Sequence, residues 1–209
     1  MIDLVLPESR IGFAGPLMQM HRDRKRVFVD QLGWDLPLRG SWLEIDDYDN
    51  DHAVYLLARS PDDGAHLASL RLLPTTQPHM LQRLFPMLCA GPVPTGEHIW
   101  EISRLVAAPA GASGTSILKM HRLLALALIE FATLNDVRAF SLVIEAHRLP
   151  ALLAVGWPVI PLGLATQFEG QWLQALRIDV VAGALETMRA RFGIRQSVLR
   201  IDGPQRRAA

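Results

Sequence analysis

The sequence predicts a mixed α/β fold, on three observations. Four short apolar runs have the length and composition of strands: 53–59 (AVYLLAR), 66–73 (HLASLRLL), 99–107 (IWEISRLVA) and 139–144 (AFSLVI), with turn residues between them. Between the third and fourth, Ile117, Leu124, Leu128 and Phe131 share the core face of a long helix that Ser113 or Thr115 caps. The order strand, loop, long helix, strand is that of a mixed α/β sheet. No solenoid-length repeat and no Gly/Ser or Pro linker divides the chain, so residues 1–209 are read as one domain, large enough for a substantial core.

The other elements follow from similar signals. From Gly15 to Leu32, Leu17, Met20, Val27 and Leu32 recur at roughly helical spacing, so this segment is an amphipathic helix that ends near Gly33, with an arginine-rich far face. A shorter helix over Ala151–Val155 stops at Gly156, Trp172–Val180 returns as a strand, and Val181–Phe192 forms a terminal helix. The last residues, GPQRRAA, read as a frayed end.

Composition excludes several classes of function. Twenty-one basic residues balance twenty-one acidic ones, which predicts neither a nucleic-acid-coating surface nor an acidic tail. Cys89 is the only cysteine, so no internal disulfide or cysteine zinc cluster forms, and the expected compartment is the reducing cytoplasm. No secretion signal is visible at the N-terminus, and the apolar run Leu123–Leu134, broken by Glu130, is too short to cross a bilayer. The seven histidines lack metal-ligand spacing, so no metal is expected. Ser103 and Ser113 lack a nucleophile-elbow context and Cys89 has no nearby histidine pair, which argues against covalent catalysis.

The N-terminal half concentrates charged and aromatic residues where hydrophobic patterning would not put them. They are Arg24, Phe28 and Trp34, then Asp46 and Asp49 in LEIDDYDN, Arg71 inside SLRLLPT, Phe85, and Glu101 and Arg104 in WEISRLV. A charge inside so apolar a strand is costly unless paired or facing a polar cleft, so Arg71, Glu101 and Arg104 require partners. Asp46 and Asp49 are the natural candidates. Taken singly, the aromatics read as core residues and the charges as an ion-pair network fixing the first helix to the sheet.

The order Arg24-x3-Phe28-x5-Trp34, Asp46-x2-Asp49, Arg71, Phe85, Glu101-x2-Arg104 resembles the signature of the autoinducer synthase (acyl-homoserine-lactone synthase) family, with all nine positions filled. Beyond that half, the likeness rests on element order and the pair Gly156-Trp157. The resemblance implies a three-layer α/β/α fold like that of GCN5-related acyl-CoA N-acyltransferases, whose twisted mixed sheet splays at a cleft for a phosphopantetheine arm.

It also implies a two-step reaction. The amine of S-adenosylmethionine attacks an acyl thioester carried by acyl carrier protein or CoA, and its carboxylate then closes on its own side chain, expelling methylthioadenosine. These are substrates, and no cofactor is implied. Amide formation needs a proton acceptor, for which Glu101 is the candidate. The sulfonium and ammonium suit Asp46 and Asp49, the carboxylate suits arginines such as Arg71 or Arg104, and Arg24 completes the charged set. Phe28, Trp34 and Phe85 suit the adenine and sulfonium through stacking and cation–π contact.

On the acyl side, the loop Ala110–Ser116 is placed for the carrier's pyrophosphate, and Leu142, Ile144, Leu152, Leu153 and Trp157 for an acyl tunnel. Relatives that take 3-oxo chains carry threonine near Ile144 or Glu145, so the resemblance favours an unsubstituted or unusual acyl group here. Arg148, Arg177, Arg206 and Arg207 are candidates to meet an acidic carrier protein. The competing readings are a generic N-acyltransferase acting on another amine and a non-catalytic sensor of the same ligands. One local conflict remains. In a regular strand Glu101 and Arg104, three apart, face opposite sides, so a bulge or break is predicted between them.

Overall fold

The computed structural model describes residues 1–107 and 117–201. Its elements in chain order are β1 (Ile2–Val5), α1 (Ala14–Arg24), β2 (Leu38–Arg39), β3 (Leu43–Glu44), β4 (Val54–Arg59), β5 (His66–Pro74), α2 (Met80–Arg83), β6 (Ile99–Ala107), α3 (Ile117–Leu134), β7 (Ala139–Glu145), α4 (Leu149–Leu153), β8 (Val159–Pro161), β9 (Thr166–Phe168), β10 (Gln171–Asp179), α5 (Ala184–Phe192) and β11 (Leu199–Arg200). Nine strands form a sheet in the order β11-β1-β4-β5-β6-β7-β10-β8, with β9 on β10, while β2 and β3 form a separate ribbon. The sheet is mixed, as predicted: β6 and β7 run parallel across the α3 crossover and β1 runs parallel to β11, whereas β1–β4, β7–β10 and β8–β10 are antiparallel. No helix among the described residues is long and apolar enough to cross a membrane.

The chain packs as two compact units, Met1–Arg71 with Arg104–Ala127 and Gln196–Ala209, and Leu72–Ser103 with Leu128–Arg195. In the first, β1 is buried along its whole length, including Asp3, which Arg59 and Arg200 neutralise. This strand was not predicted. It is four residues long and flanked by two neighbours, so it lacks the apolar/polar alternation of a half-exposed strand. In the second unit Leu81, Leu88, Leu173 and Ala175 form an apolar cluster, and Trp100 meets Phe131 edge-on at 5.1 Å. Glu130, which interrupts the apolar run of α3, pairs there with Arg189 at 2.9 Å.

The first helix differs from its prediction in an informative way. The buried stripe is Leu17, Met20, Arg24 and Phe28, at helical spacings of three and four, so Arg24 occupies a core position rather than an outer arginine-rich face. After α1 the coil loosens into a π-helical stretch, Lys25–Gln31, and ends at Gly33, whose φ is +70°. Gly33 N–H donates to Val29 O at 3.1 Å and Trp34 N–H to Phe28 O at 2.9 Å. Each of these bonds reaches one residue further back than in a Schellman cap, as the wider π-helical turn requires, and the glycine supplies the left-handed residue.

Where a bulge or break is predicted in β6, the strand itself runs on from Ile99 to Ala107, but its backbone is irregular at Arg104. The parallel register with β7 runs from Ile99 to Ile102, and Arg104 then takes φ +52°, a left-handed conformation that costs a non-glycine residue about 1–2 kcal/mol. The C-terminal helix is shorter than predicted, starting at Ala184 after Gly183 rather than at Val181. The short helix is Leu149–Leu153 rather than 151–155. The Ser113/Thr115 cap, the Ala110–Ser116 loop and Arg206 and Arg207 lie outside the described residues.

Candidate active site

Three arginines and three carboxylates of the first unit close into an alternating ring. Arg24 grips Asp49 with both terminal nitrogens, Nη1 to Oδ1 at 2.8 Å and Nη2 to Oδ2 at 2.9 Å, and donates from Nε to Glu44. Glu44 Oε1 accepts from Arg104 Nε at 3.1 Å, and Arg104 Nη2 reaches Asp46 Oδ2 at 2.7 Å. Arg71 then bridges Asp46, at 2.5 and 3.1 Å, back to Asp49 at 2.9 Å. The structure thus brings Arg24, Asp46, Asp49, Arg71 and Arg104 together and adds Glu44. Of these side chains, only Asp46 (8 % exposed) and Arg104 (6 %) exceed 2 % exposure.

The local backbone explains how each acid is held. Residues 46–49 form a turn in which Asp49 N–H donates to Asp46 O at 3.0 Å; Asp46 N–H donates to Asp49 Oδ2 and Tyr48 N–H to Asp46 Oδ1, both at 2.9 Å. Tyr55 Oη donates to Asp49 Oδ1 at 2.9 Å. Burial opposes ionisation of Asp49, but Arg24 and Arg71 outweigh it and hold the carboxyl well below the usual carboxylate range. For Arg24 and Arg71 burial opposes the charge and the acids overcome it, whereas burial lowers Arg104 despite Glu44 and Asp46. Tyr55 is pushed up by burial and by Asp49.

Glu44, Tyr55 and His21 were not singled out from sequence. Glu44 had a usable signal: in WLEIDD it sits two residues before Asp46, and alternation puts such residues on one side of an extended chain. His21 donates Nδ1–H to Glu44 O at 2.8 Å.

These shifts set a pH dependence. Burial, aided by Arg24, lowers His21, and burial lowers His79, so below about pH 6.5 the unfolded chain binds their protons more readily and stability falls with pH. Asp49 acts lower: its contribution is present above its unfolded value of about 3.9 and is lost as pH falls towards its folded value. Thermal melts at constant ionic strength are expected to show a melting temperature that declines from pH 7.5 to 5.5 and drops again below about pH 4. A flat profile between 7.5 and 5.5 would remove the histidine contribution.

Phe28 and Trp34 stack at 5.1 Å with 9° between their planes, and the Arg104 guanidinium lies 5.6 Å from the Phe28 ring. Trp34 Nε1–H is buried and finds no acceptor among the described residues. Asp23, His66 and Ser69 share triad connectivity, at 2.6 and 3.0 Å, but Ser69 is wholly buried and cannot present a nucleophile.

In the second unit Glu101, 2 % exposed, accepts from Met80 N–H at 3.2 Å and Leu81 N–H at 2.8 Å, so its carboxylate caps the first turn of α2. Phe85 packs edge-on against Phe168 at 5.4 Å beside Leu81 and Leu88, as a core aromatic does. Of the candidate acyl-pocket residues Leu142 is buried, Ile144, Leu152 and Trp157 are half-buried, and Trp157 Nε1 donates to Met188 Sδ at 2.8 Å. Leu153, in the short helix Leu149–Leu153, is 49 % exposed. Arg148 is bonded to Glu145 and Arg177 to Asp179 at 2.8 Å, so both proposed carrier contacts already have carboxylate partners. Among the described residues no group of three or more histidines, cysteines or acids is arranged to hold a metal ion.

Residues 14–188 match the Autoinducer synthase family. The isovaleryl-homoserine lactone synthase of Bradyrhizobium diazoefficiens is 32 % identical over 208 residues, covering 98 % of this chain and 91 % of that protein. The structure of the CoA-dependent acyl-homoserine lactone synthase BjaI with SAM and isopentyl-CoA superposes with a TM-score of 0.86 at 29 % identity, covering 98 % of this chain and 94 % of that one. The CoA-dependent synthase MesI gives 0.82 at 34 %, covering 95 % and 98 %. In fold alone, the chain is also similar to an N-acetyltransferase from Lactobacillus plantarum, at a TM-score of 0.57 and 13 % identity over 86 % and 99 %. With a family match running through most of its length and a relative aligned from end to end, this chain belongs to the autoinducer synthase family.

Proposed function

We propose that the chain is an acyl-homoserine-lactone synthase that takes its acyl group from an acyl-CoA and its amine from S-adenosylmethionine. In the first step the amine attacks the thioester carbonyl, the C–N bond forms, the C–S bond breaks and the CoA thiolate leaves, while Glu101 receives the amine's proton directly or through water. In the second, the substrate carboxylate attacks its own γ-carbon, the bond to the sulfonium breaks and methylthioadenosine departs as a neutral thioether. Both steps balance without metal or redox cofactor.

The observation that carries this reading is the superposition, along nearly the whole chain, on a CoA-dependent synthase solved with SAM and isopentyl-CoA. The ring supports it chemically. Its least enclosed members, Asp46 and Arg104, are one anion and one cation, the complement of an amino-acid ammonium and carboxylate. The Phe28–Trp34 pair offers a face for adenine, and the unused Trp34 N–H offers a donor for a substrate acceptor. Own-chain partners at Arg148 and Arg177 support CoA over an acidic carrier protein as donor. The acyl group is proposed to be unsubstituted at its 3-position, or otherwise unusual, since neither Ile144 nor Glu145 supplies a hydroxyl.

Purified protein given S-adenosylmethionine and a short-chain acyl-CoA is expected to release methylthioadenosine and an acyl-homoserine lactone in equal amounts, followed by mass spectrometry. Thioester consumption without methylthioadenosine would instead mark an N-acyltransferase acting on another amine.

A further inference from the structure

We propose that Glu44 is a positioning residue, which sets the Arg104 guanidinium for the carboxylate of the amino-acid substrate. The inference rests on the proposed role of Arg104 as a substrate contact. Glu44 is 0 % exposed and is the one acid in the ring that joins Arg24 to Arg104, giving Oε2 to the first and Oε1 to the second. It is fixed from behind as well, because its backbone carbonyl accepts His21 Nδ1–H at 2.8 Å.

Arg104 needs such a hold. Its backbone is in the left-handed region, where a regular strand would not aim the side chain, and its guanidinium is drawn one way by Asp46 at 2.7 Å and another by Glu44 at 3.0 Å. Asp46 is shared with Arg71, so it is not Arg104's alone. Removing the Glu44 charge turns the closed ring of three cations and three anions into an open chain with three cations and two anions. Arg104 then follows Asp46, and the least enclosed edge of the ring loses its geometry. In Glu44→Gln the amide offers one acceptor where two guanidiniums point, so one of the two arginines faces an NH2 group.

The test compares two ligands that differ in the part Arg104 is proposed to hold. S-adenosylmethionine carries a carboxylate and an ammonium; methylthioadenosine carries neither. Titration calorimetry of Glu44→Gln in the full chain is expected to show binding of S-adenosylmethionine weakened at least tenfold, with methylthioadenosine within twofold of wild type. Equal weakening of both ligands, or of neither, would overturn the inference, since a general loss of structure does not discriminate between them. Should Glu44→Gln fail to fold, Glu44→Asp decides the matter: it keeps the charge but is one methylene too short to span both arginines, and the same split is expected. Wild-type protein that binds neither ligand would sink the proposed function itself, not the assignment of Glu44.

Discussion

Asp49→Ala is expected to cost about 3–5 kcal/mol of folding stability, the range for breaking a buried ion pair from one side. Asp49 receives both terminal nitrogens of Arg24, Nη1 of Arg71, the Tyr55 hydroxyl and the Asp46 amide. Its loss leaves Arg24, 1 % exposed, with Glu44 as the remaining ring partner, and opens the turn that holds Asp46. Against a typical total of roughly 5–15 kcal/mol, that is a large share. Denaturant titration should show the midpoint fall with little change in slope. A loss below about 1 kcal/mol would mean that water or a rearranged partner replaces the carboxylate, and the ring would then not be a determinant of the fold.

The ring does not owe its presence to stability alone. Buried ion-pair networks are commonly no more stabilising than apolar side chains of the same volume, because desolvation of each charge offsets the attraction. A stripe of Leu17, Met20, an apolar residue and Phe28 would pack α1 adequately, yet the sequence places Arg24 there. Together with the strained backbone of Arg104, the charge in the core fits the proposed function, in which Asp46 and Arg104 face the amino-acid substrate.

Spacing in the sequence was legible where it encodes a local hydrogen-bonding motif. Phe28-x5-Trp34 is the separation of the two residues joined by a backbone bond across the Gly33 turn that closes the π-helical stretch, and Asp46-x2-Asp49 is the span of one turn. Glu101-x2-Arg104 conflicts with strand alternation, and the backbone of β6 departs from regular strand geometry at Arg104 while the strand itself continues to Ala107. The four central strands and the α3 crossover followed from apolar runs and their order.

What could not be seen depended on long-range pairing. The strand β1 is a strand because β4 and β11 flank it, and nothing inside IDLV announces that. Glu44 matters because Arg104, sixty residues on, reaches it. The π-helical stretch was hidden because Val27 and Leu32 look like ordinary helical positions until Leu32 N–H bonds back to Val27 O.

Glu101→Gln is expected to reduce kcat by about 10²- to 10⁴-fold, the usual contribution of a general base, and to lower stability at the same time. The second effect follows from geometry. Both carboxylate oxygens accept backbone N–H groups, from Met80 and from Leu81, and an amide has only one oxygen, so its NH2 must face one of those donors. A buried donor left without an acceptor costs about 1–3 kcal/mol. The two effects are separable by assaying well below the variant's melting temperature, where the folded fraction is complete, and by the pH profile of kcat/KM. If Glu101 takes the proton, the variant loses the acid limb of that profile along with its rate. If it serves α2 alone, the melting temperature falls while the rate per folded molecule and the pH profile stay near wild type, and the proton acceptor must then be sought in a bound water or in the substrate itself.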